Sequence, residues 1–173
     1  MKDEKMDYNC FMNDALILAK TAMDAGEFPV GCVIVNENKV IASGFRTGTA
    51  HKNSTNEIDH AEMLALRQLS GVKIDVDNGK TILFCTMEPC LMCFGAIALS
   101  GIRTIVYAYE DAMGGGTNIN FSELPPFYKD IQIKIIPHIL RQESLKLFQT
   151  YFSNPKNTYW KGSLLEQYTL NQK

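Results

Sequence analysis

The sequence lacks any apolar run near the roughly 20 residues that a membrane span needs. Its first ten residues, MKDEKMDYNC, are charged and lack the apolar core of a secretory signal. Net charge is also small, since 17 basic residues stand against 19 acidic ones, which argues against a broad electropositive surface for nucleic acid. With 46% hydrophobic residues in 173, the chain is not largely disordered. These features predict one cytoplasmic domain with no membrane attachment.

The cysteines do not make up a set of pairs. There are five, an odd number, and in a chain without an export signal a disulfide framework is the weaker interpretation. Metal ligation or simple burial is the stronger one. Cys85, Cys90 and Cys93 lie within nine residues of one another, which directs attention to that segment.

Apolar periodicity predicts alternating helices and strands. We expect helices over 11–23, 59–69, 89–99 and 142–152, a hairpin of strands 30–35 and 40–44, and strands over 81–86, 102–107 and 131–135. The polar stretch 46–58 reads as a long loop. The pattern predicts an α/β fold: a single three-layer domain spanning 1–173, with about five strands in a central mixed sheet and helices on both faces. Helical crossovers predict parallel pairing of the later strands. The tail 153–173 is a lid, a dimer contact or ordinary packing.

One imidazole and two thiolates are spaced to bind a single metal ion. Cys90 and Cys93 share a helix face, at the positive end of the helix dipole, and Pro89 suits the first helical position. With His60 they make three ligands, which leave a fourth position for water, as in catalytic zinc sites. A closed structural zinc site is the alternative and requires a fourth ligand. The candidates for that ligand are Cys85, Cys32, Cys10, His51 and His138.

Glu62 lies two positions after His60, and residues two apart on a helix do not face the same way. Both side chains reach one site only if the pocket lies beyond the helix N-terminus, which a cap at Asp59 would favour. In that arrangement Glu62 sits beside the metal-bound water without being a ligand. The alternative is a capping box formed by Asp59 and Glu62.

The segments GEFPVG at 26–31, HAEM at 60–63 and TMEPCLMC at 86–93 resemble the zinc-dependent cytidine deaminase superfamily, whose signature is H-x-E with P-C-x-x-C. They look most like the tRNA adenosine deaminase branch, with the guanine and cytosine deaminases as near relatives. The resemblance implies a cytidine deaminase-like fold and a homodimer. It also implies zinc bound by His60, Cys90 and Cys93, with Glu62 moving protons between water, ring nitrogen and departing ammonia. Main-chain groups near Pro29, Val30, Gly31 and Ala61 would hold the base.

The chain departs from that branch in three places. Arg46 stands where an asparagine typically contacts the substrate, so it either makes a different contact or points into solvent, with Asn53 or Asn56 as replacements. The loop before His60 is a few residues longer, and the tail lacks a basic cluster. Asp111 matches an aspartate near the substrate mouth, and Glu110 replaces the basic residue often found beside it.

The charge and the departures favour a nucleobase or nucleoside as substrate. Motif likeness favours adenosine at the wobble position of tRNA, which is the alternative. A non-catalytic, zinc-stabilised subunit is the second alternative. Phe152 is expected either to stack on the base or to lie in the core.

Overall fold

The central element of this computed structural model is a five-stranded mixed sheet, in a structure that describes residues 6–50, 55–72, 77 and 79–173. The strands are β1 (Gly31–Asn36), β2 (Lys39–Phe45), β3 (Ile82–Met87), β4 (Thr104–Tyr109) and β5 (Lys134–Ile136), in the order β2-β1-β3-β4-β5. β1 pairs antiparallel with β2 and β3, whereas β3, β4 and β5 run parallel. The predicted mixed sheet, with its later strands parallel, is confirmed.

Helices cover both faces of this sheet. They are α1 (Tyr8–Asp24), α2 (Ala61–Ser70), α3 (Leu91–Leu99), α4 (Pro126–Lys129), α5 (Arg141–Ser153) and α6 (Leu164–Leu170). α1 packs on the face that carries Val33 and Phe84. α2 and α3 pack on the face that carries Cys32 and Cys85. In the described part of the chain, no helix has both the length and the apolar composition for crossing a membrane. The predicted three-layer α/β architecture is confirmed.

A tight turn and a close helix contact fix β1 in place. Glu37 and Asn38 both have positive φ, 47° and 58°, as the two-residue turn of a right-twisted hairpin requires. At Gly31, a Cβ would lie 2.1 Å from the Ala15 carbonyl oxygen of α1. Only glycine therefore allows this strand to approach α1 so closely.

The two helices of the predicted metal site each begin later than the sequence indicates. α2 is capped by His60 rather than by Asp59, and no side chain caps its first turn. The predicted Asp59 cap is wrong because Asp59 instead accepts hydrogen bonds from Asn56 (2.7 Å) and Arg67 (2.5 Å). α3 is capped by Cys90, so proline 89 lies before the helix and not at its first position.

The C-terminal tail is attached to the sheet through hydrogen bonds to the partly buried Glu110 carboxylate at the end of β4. Arg141 of α5 donates to the Glu110 carboxylate through Nε (2.8 Å) and Nη2. Tyr168 of α6 donates to the same carboxylate at 2.8 Å. The Tyr109 hydroxyl lies 3.1 Å from Thr169 Oγ1, where both groups are buried. These contacts hold α6 against the end of β4.

Candidate active site

The N-termini of α2 and α3 meet at one point and bring three potential metal ligands together. His60 Nδ1 lies 3.5 Å from both Cys90 Sγ and Cys93 Sγ, and the three ligand atoms all fall within 4.8 Å of one another. One imidazole nitrogen and two thiolate sulfurs form a donor set that suits zinc. The residues present therefore fit the ion that the sequence predicts.

Charge in this cluster is strongly coupled. A hydrogen bond from the Cys93 thiol, together with one from His60, lowers the pKa of Cys90 to about 4. Sharing that hydrogen bond with a thiolate raises the pKa of Cys93. Burial lowers the pKa of His60, but the hydrogen bond to Cys90 outweighs it and the net shift is upward. A divalent cation that binds here displaces the shared protons.

The structure brings no fourth cysteine or histidine into the cluster among the residues it describes. Cys32 of β1 and Cys85 of β3 are free thiols that lie opposite each other in the sheet, and both are fully buried. Cys10 is exposed on α1, and His138 lies 3.5 Å from Glu110. His51 lies outside the described residues. The closed structural site therefore lacks the ligand it needs in the described part of the chain.

Glu62 reaches the same site as His60 because the two residues lie at the same end of α2. His60 caps the helix, Glu62 belongs to its first turn, and both line the pocket. Its side chain is 3% exposed. Burial raises the pKa of its carboxyl, which makes the protonated form accessible. A carboxyl with that property can both accept and return a proton.

A cavity of about 300 Å³ opens from this point. Its lining comprises two residues of the metal cluster, four acidic side chains, one guanidinium, three aromatic rings and several smaller or aliphatic groups. The residues are Phe28, Val30, Arg46, Glu57, His60, Ala61, Glu62, Met87, Glu88, Cys90, Asp111, Met113, Gly114, Tyr159, Trp160 and Leu165. Its size is at the lower end of ligand pockets, which run from about 300 to 1,000 Å³.

Of the predicted substrate-binding residues, Val30, Arg46, Ala61 and Asp111 line this cavity. Asp111 is half-buried, and its Oδ1 accepts hydrogen bonds from the main-chain N–H groups of Met113 and Gly114, both at 2.9 Å. Burial raises the pKa of its carboxyl.

Three predicted substrate-binding residues do not line the cavity. Gly31 faces α1, as its steric contact shows, and Pro29 is buried beside it. Phe152 lies in the core, with its ring centroid 6.0 Å from that of Phe28. Its periodicity on α5 reflects packing, so the core alternative is the correct one for this residue.

Arg46 points inward rather than into solvent, and its side chain is almost fully buried at 2% exposure. Its Nη1 donates to the carbonyl oxygens of Thr47 (3.0 Å), Asn56 (2.7 Å) and Asp59 (3.0 Å). The solvent-facing alternative is wrong because the loop supplies these three part-buried acceptors. Asn56 uses its side chain on Asp59 and Ile58 and does not line the cavity; Asn53 lies outside the described residues.

Arg46 also joins the loop to the tail. Its Nη2 lies 3.3 Å from Glu57 Oε2 and 3.4 Å from the Tyr159 hydroxyl. Tyr159 in turn donates to Glu57 at 2.8 Å, and the guanidinium carbon is 5.6 Å from the Tyr159 ring centroid. We call Arg46, Glu57 and Tyr159 the loop–tail contact.

The glycine run 114–116 follows β4, and its first residue, Gly114, lines the cavity. Glu88 is 7% exposed and accepts hydrogen bonds from Thr117 Oγ1 (2.5 Å) and from the Asp111 main-chain N–H (3.2 Å). A Cβ at Gly115 would lie 2.5 Å from that carboxylate, and one at Gly116 would lie 2.7 Å from the α3 backbone. The run therefore lets the loop approach α3 and positions Asp111.

Sequence reasoning assigned no role to several lining residues. Glu57 and Tyr159 belong to a loop and a tail whose contact has no local signal. Glu88 is part of the motif 86–93, where a buried acidic residue before a proline could have drawn attention. Trp160 belongs to the tail, for which the sequence allows a lid, a dimer contact or ordinary packing.

Known proteins share this arrangement. The sequence model of the cytidine and deoxycytidylate deaminase zinc-binding region matches residues 5–109. A tRNA-specific adenosine deaminase of Streptococcus pyogenes serotype M18 (strain MGAS8232) is 31% identical over 142 residues, which are 82% of this chain and 87% of the relative.

Two solved structures share the fold at similar distance. One comes from studies of A-to-I editing by tRNA deaminases at the wobble position, with TM-score 0.63, 27% identity, and coverage of 80% of this chain and 98% of its own. The other is a variant of NE0047 with 8-azaguanine bound, with TM-score 0.63, 25% identity, and coverage of 83% and 82%. The matched region contains His60, Cys90, Cys93 and Glu62, and the chain belongs to the cytidine and deoxycytidylate deaminase family.

Proposed function

We propose that this deaminase removes the exocyclic amine of a nucleobase or nucleoside by hydrolysis, with zinc held by His60, Cys90 and Cys93. The observation that carries the proposal is that the buried Glu62 lines the same cavity as His60 and Cys90, two members of the His/Cys/Cys cluster. Water replaces the amine on the ring carbon, and the products are the oxo base and ammonia.

Glu62 moves the protons of this reaction. Zinc, when bound, lowers the pKa of a water to about 7 and so makes it nucleophilic at neutral pH. The Glu62 carboxylate accepts one proton of the attacking water and delivers it to the ring nitrogen. It then accepts the second proton, from the hydroxyl on the ring carbon, and delivers it to the amine, which leaves as ammonia while the carbonyl forms. Its burial and raised pKa suit a group that is protonated for part of each cycle.

The cavity supports a small, uncharged substrate. Its walls carry the carboxyl groups of Glu57, Glu62, Glu88 and Asp111 against the single guanidinium of Arg46. That guanidinium is committed to main-chain carbonyls and to the loop–tail contact. A polynucleotide gains much of its affinity through phosphate contacts with basic side chains, and this lining offers few.

Adenosine in tRNA is the second candidate substrate. The observation that favours it is the 31% identity to a tRNA-specific adenosine deaminase over most of both chains. It requires a basic surface outside the cavity, in a chain of net charge −2.

Ammonia release from a panel of amines tests both candidates. The panel contains cytosine, guanine, adenine, their nucleosides and an anticodon stem-loop with a wobble adenosine; Glu62→Gln is the control variant. Turnover of a small molecule that the variant loses supports the first candidate. Turnover of the stem-loop alone overturns it in favour of tRNA. No ammonia from any amine by the zinc-loaded protein overturns both and supports a non-catalytic subunit.

We also propose a homodimer that forms through α3. Leu91 and Leu99 on this helix are 64% and 59% exposed, and a Cβ at Gly95 between them would meet no atom within 4 Å. An apolar face of this kind is typical of subunit contacts. Leu99→Lys should yield a monomer in analytical ultracentrifugation, whereas Val40→Lys, at an apolar site of 43% exposure on β2, should not. A wild-type monomer at micromolar concentration contradicts the proposal.

A further inference from the structure

Trp160 is the single tryptophan of the chain, and it lines the same cavity as Glu62, His60 and Cys90. It is 42% exposed, so it is not a core residue. Its ring packs against that of Tyr159, with centroids 5.3 Å apart and planes at 60°. The position combines a large planar surface with an opening onto the reaction site.

The backbone at Trp160 is held in an unfavourable conformation. Its φ is +58°, in the left-handed region that bulky residues rarely occupy. Such conformations persist only where the surrounding structure imposes them, and they concentrate at ligand-binding positions. Here the turn 158–163 imposes it, through hydrogen bonds from Lys161 N–H to the Thr158 carbonyl and from Ser163 N–H to the Trp160 carbonyl, both at 3.2 Å.

The neighbouring residue fixes where this turn lies. Tyr159 donates to Glu57 at 2.8 Å, and its ring packs against Phe28 with centroids 5.4 Å apart. On the other side of the turn, Leu165 is 1% exposed and also lines the cavity. The turn that carries Trp160 is therefore anchored on both sides, by Tyr159 and by Leu165, beside the cavity.

From these observations we propose that Trp160 is a substrate-binding residue that stacks on the ring of the base during deamination. The inference rests on the proposed function and deepens it, since it assigns the tail a direct contact with the substrate. Aromatic side chains bind bases of any identity in this way because every base has a π-face. Stacking of Trp160 supplies affinity for the ring and leaves the choice of base to the polar groups.

The experiment uses the fluorescence of this single tryptophan. Zinc-loaded Glu62→Gln protein, which retains the cavity without turnover, is titrated with guanine, cytosine and adenosine, with ribose as a non-aromatic control. Excitation is set at the long-wavelength edge of tryptophan absorption, where the bases do not absorb. We expect saturable quenching by at least one base and none by ribose.

Two substitutions in the Glu62→Gln background test the contact itself, with affinity measured by equilibrium dialysis. Trp160→Ala should weaken binding of the quenching base by about 5- to 20-fold, the lower part of the range for base–aromatic stacking, because the ring is partly exposed. Trp160→Phe should stay within about threefold. The matched control is Phe127→Ala, which removes an aromatic ring of 73% exposure away from the cavity, and it should leave affinity unchanged.

The outcomes separate this inference from the proposed function. Ammonia release by the wild type, without quenching or without an effect of Trp160→Ala on affinity, overturns the role of Trp160 alone. Absence of both ammonia and base binding overturns both. If Trp160→Ala changes the sedimentation of the protein and leaves affinity unchanged, the residue is a subunit contact and the inference is wrong.

Discussion

Substitution of Arg46 by methionine removes every hydrogen-bond donor from a side chain that is 2% exposed while keeping most of its apolar length. In the wild type, Nη1 donates to three main-chain carbonyls at 2.7 to 3.0 Å. An acceptor left without its donor costs about 1–3 kcal/mol when it is fully buried, and the lower end applies to each of these three because they are part-buried. The ion pair adds at most about 1 kcal/mol, because the Glu57 side chain is 54% exposed.

We therefore expect Arg46→Met to lower the free energy of unfolding by about 3–5 kcal/mol, the cost of breaking a buried charged network. Urea denaturation of the zinc-loaded protein, followed by far-UV circular dichroism, measures this. With an m-value of about 2 kcal/mol/M, the midpoint falls by roughly 2 M.

Glu57→Gln is the matched control for Arg46→Met. It removes the ion pair and keeps all three carbonyl contacts, so it should cost less than about 1 kcal/mol. If Arg46→Met lowers the midpoint by no more than the control does, with an unchanged m-value, Arg46 does not hold the loop. A stable Arg46→Met protein that has lost activity would instead support the expected contact between Arg46 and the substrate.

Three further predictions concern the metal, the tail and the sheet. Cys93→Ser should lower the zinc content, measured by atomic absorption, from about one ion per chain to near zero, because two ligands of this class do not retain the ion. At Glu110, burial raises the carboxyl pKa, but hydrogen bonds from Arg141 and others outweigh it, and the net shift is downward from 4.5. Glu110 therefore stabilises the fold above pH 4.5 and loses this effect as pH falls through its folded value, so Glu110→Gln should lower Tm at pH 7 and progressively less below pH 4.5. Gly31→Ala should cost about 3 kcal/mol or more in urea denaturation, because the added Cβ meets α1 backbone atoms at 2.1 and 2.5 Å.

Each of these has a result that contradicts it. Cys10 is exposed on α1, so equal zinc loss in Cys10→Ser would show that the change acts through general instability. A Tm difference for Glu110→Gln that stays constant from pH 7 to pH 3 would mean that the carboxylate charge does not stabilise the tail. A Gly31→Ala protein of wild-type stability would mean that β1 and α1 can move apart at little cost.

The departures from the family pattern are physically connected. Arg46, the loop before His60 and the tail meet in the loop–tail contact, where Glu57 of the loop and Tyr159 of the tail share the guanidinium. Glu110 is the acceptor that holds Tyr168 of the tail. Positions that are far apart in the sequence therefore share one effect: the loop–tail contact and the Glu110–Tyr168 hydrogen bond both attach the tail to the rest of the domain.

The α/β fold, the parallel pairing of the later strands and the grouping of His60, Cys90 and Cys93 could all be predicted from the sequence. Hydrophobic periodicity and a helical spacing of three residues depend only on neighbours in the chain, so they can be interpreted before the tertiary contacts are known. The sequence also determined that His60 and Glu62 share a site only beyond a helix end, which is how they lie. Which side chains line the cavity depends on contacts between distant segments. The inward direction of Arg46 depends on carbonyls up to 13 positions away, and its contact with Tyr159 spans 113. Such contacts arise when distant segments meet around a buried charge that must be hydrogen-bonded, and no local pattern in the chain records them.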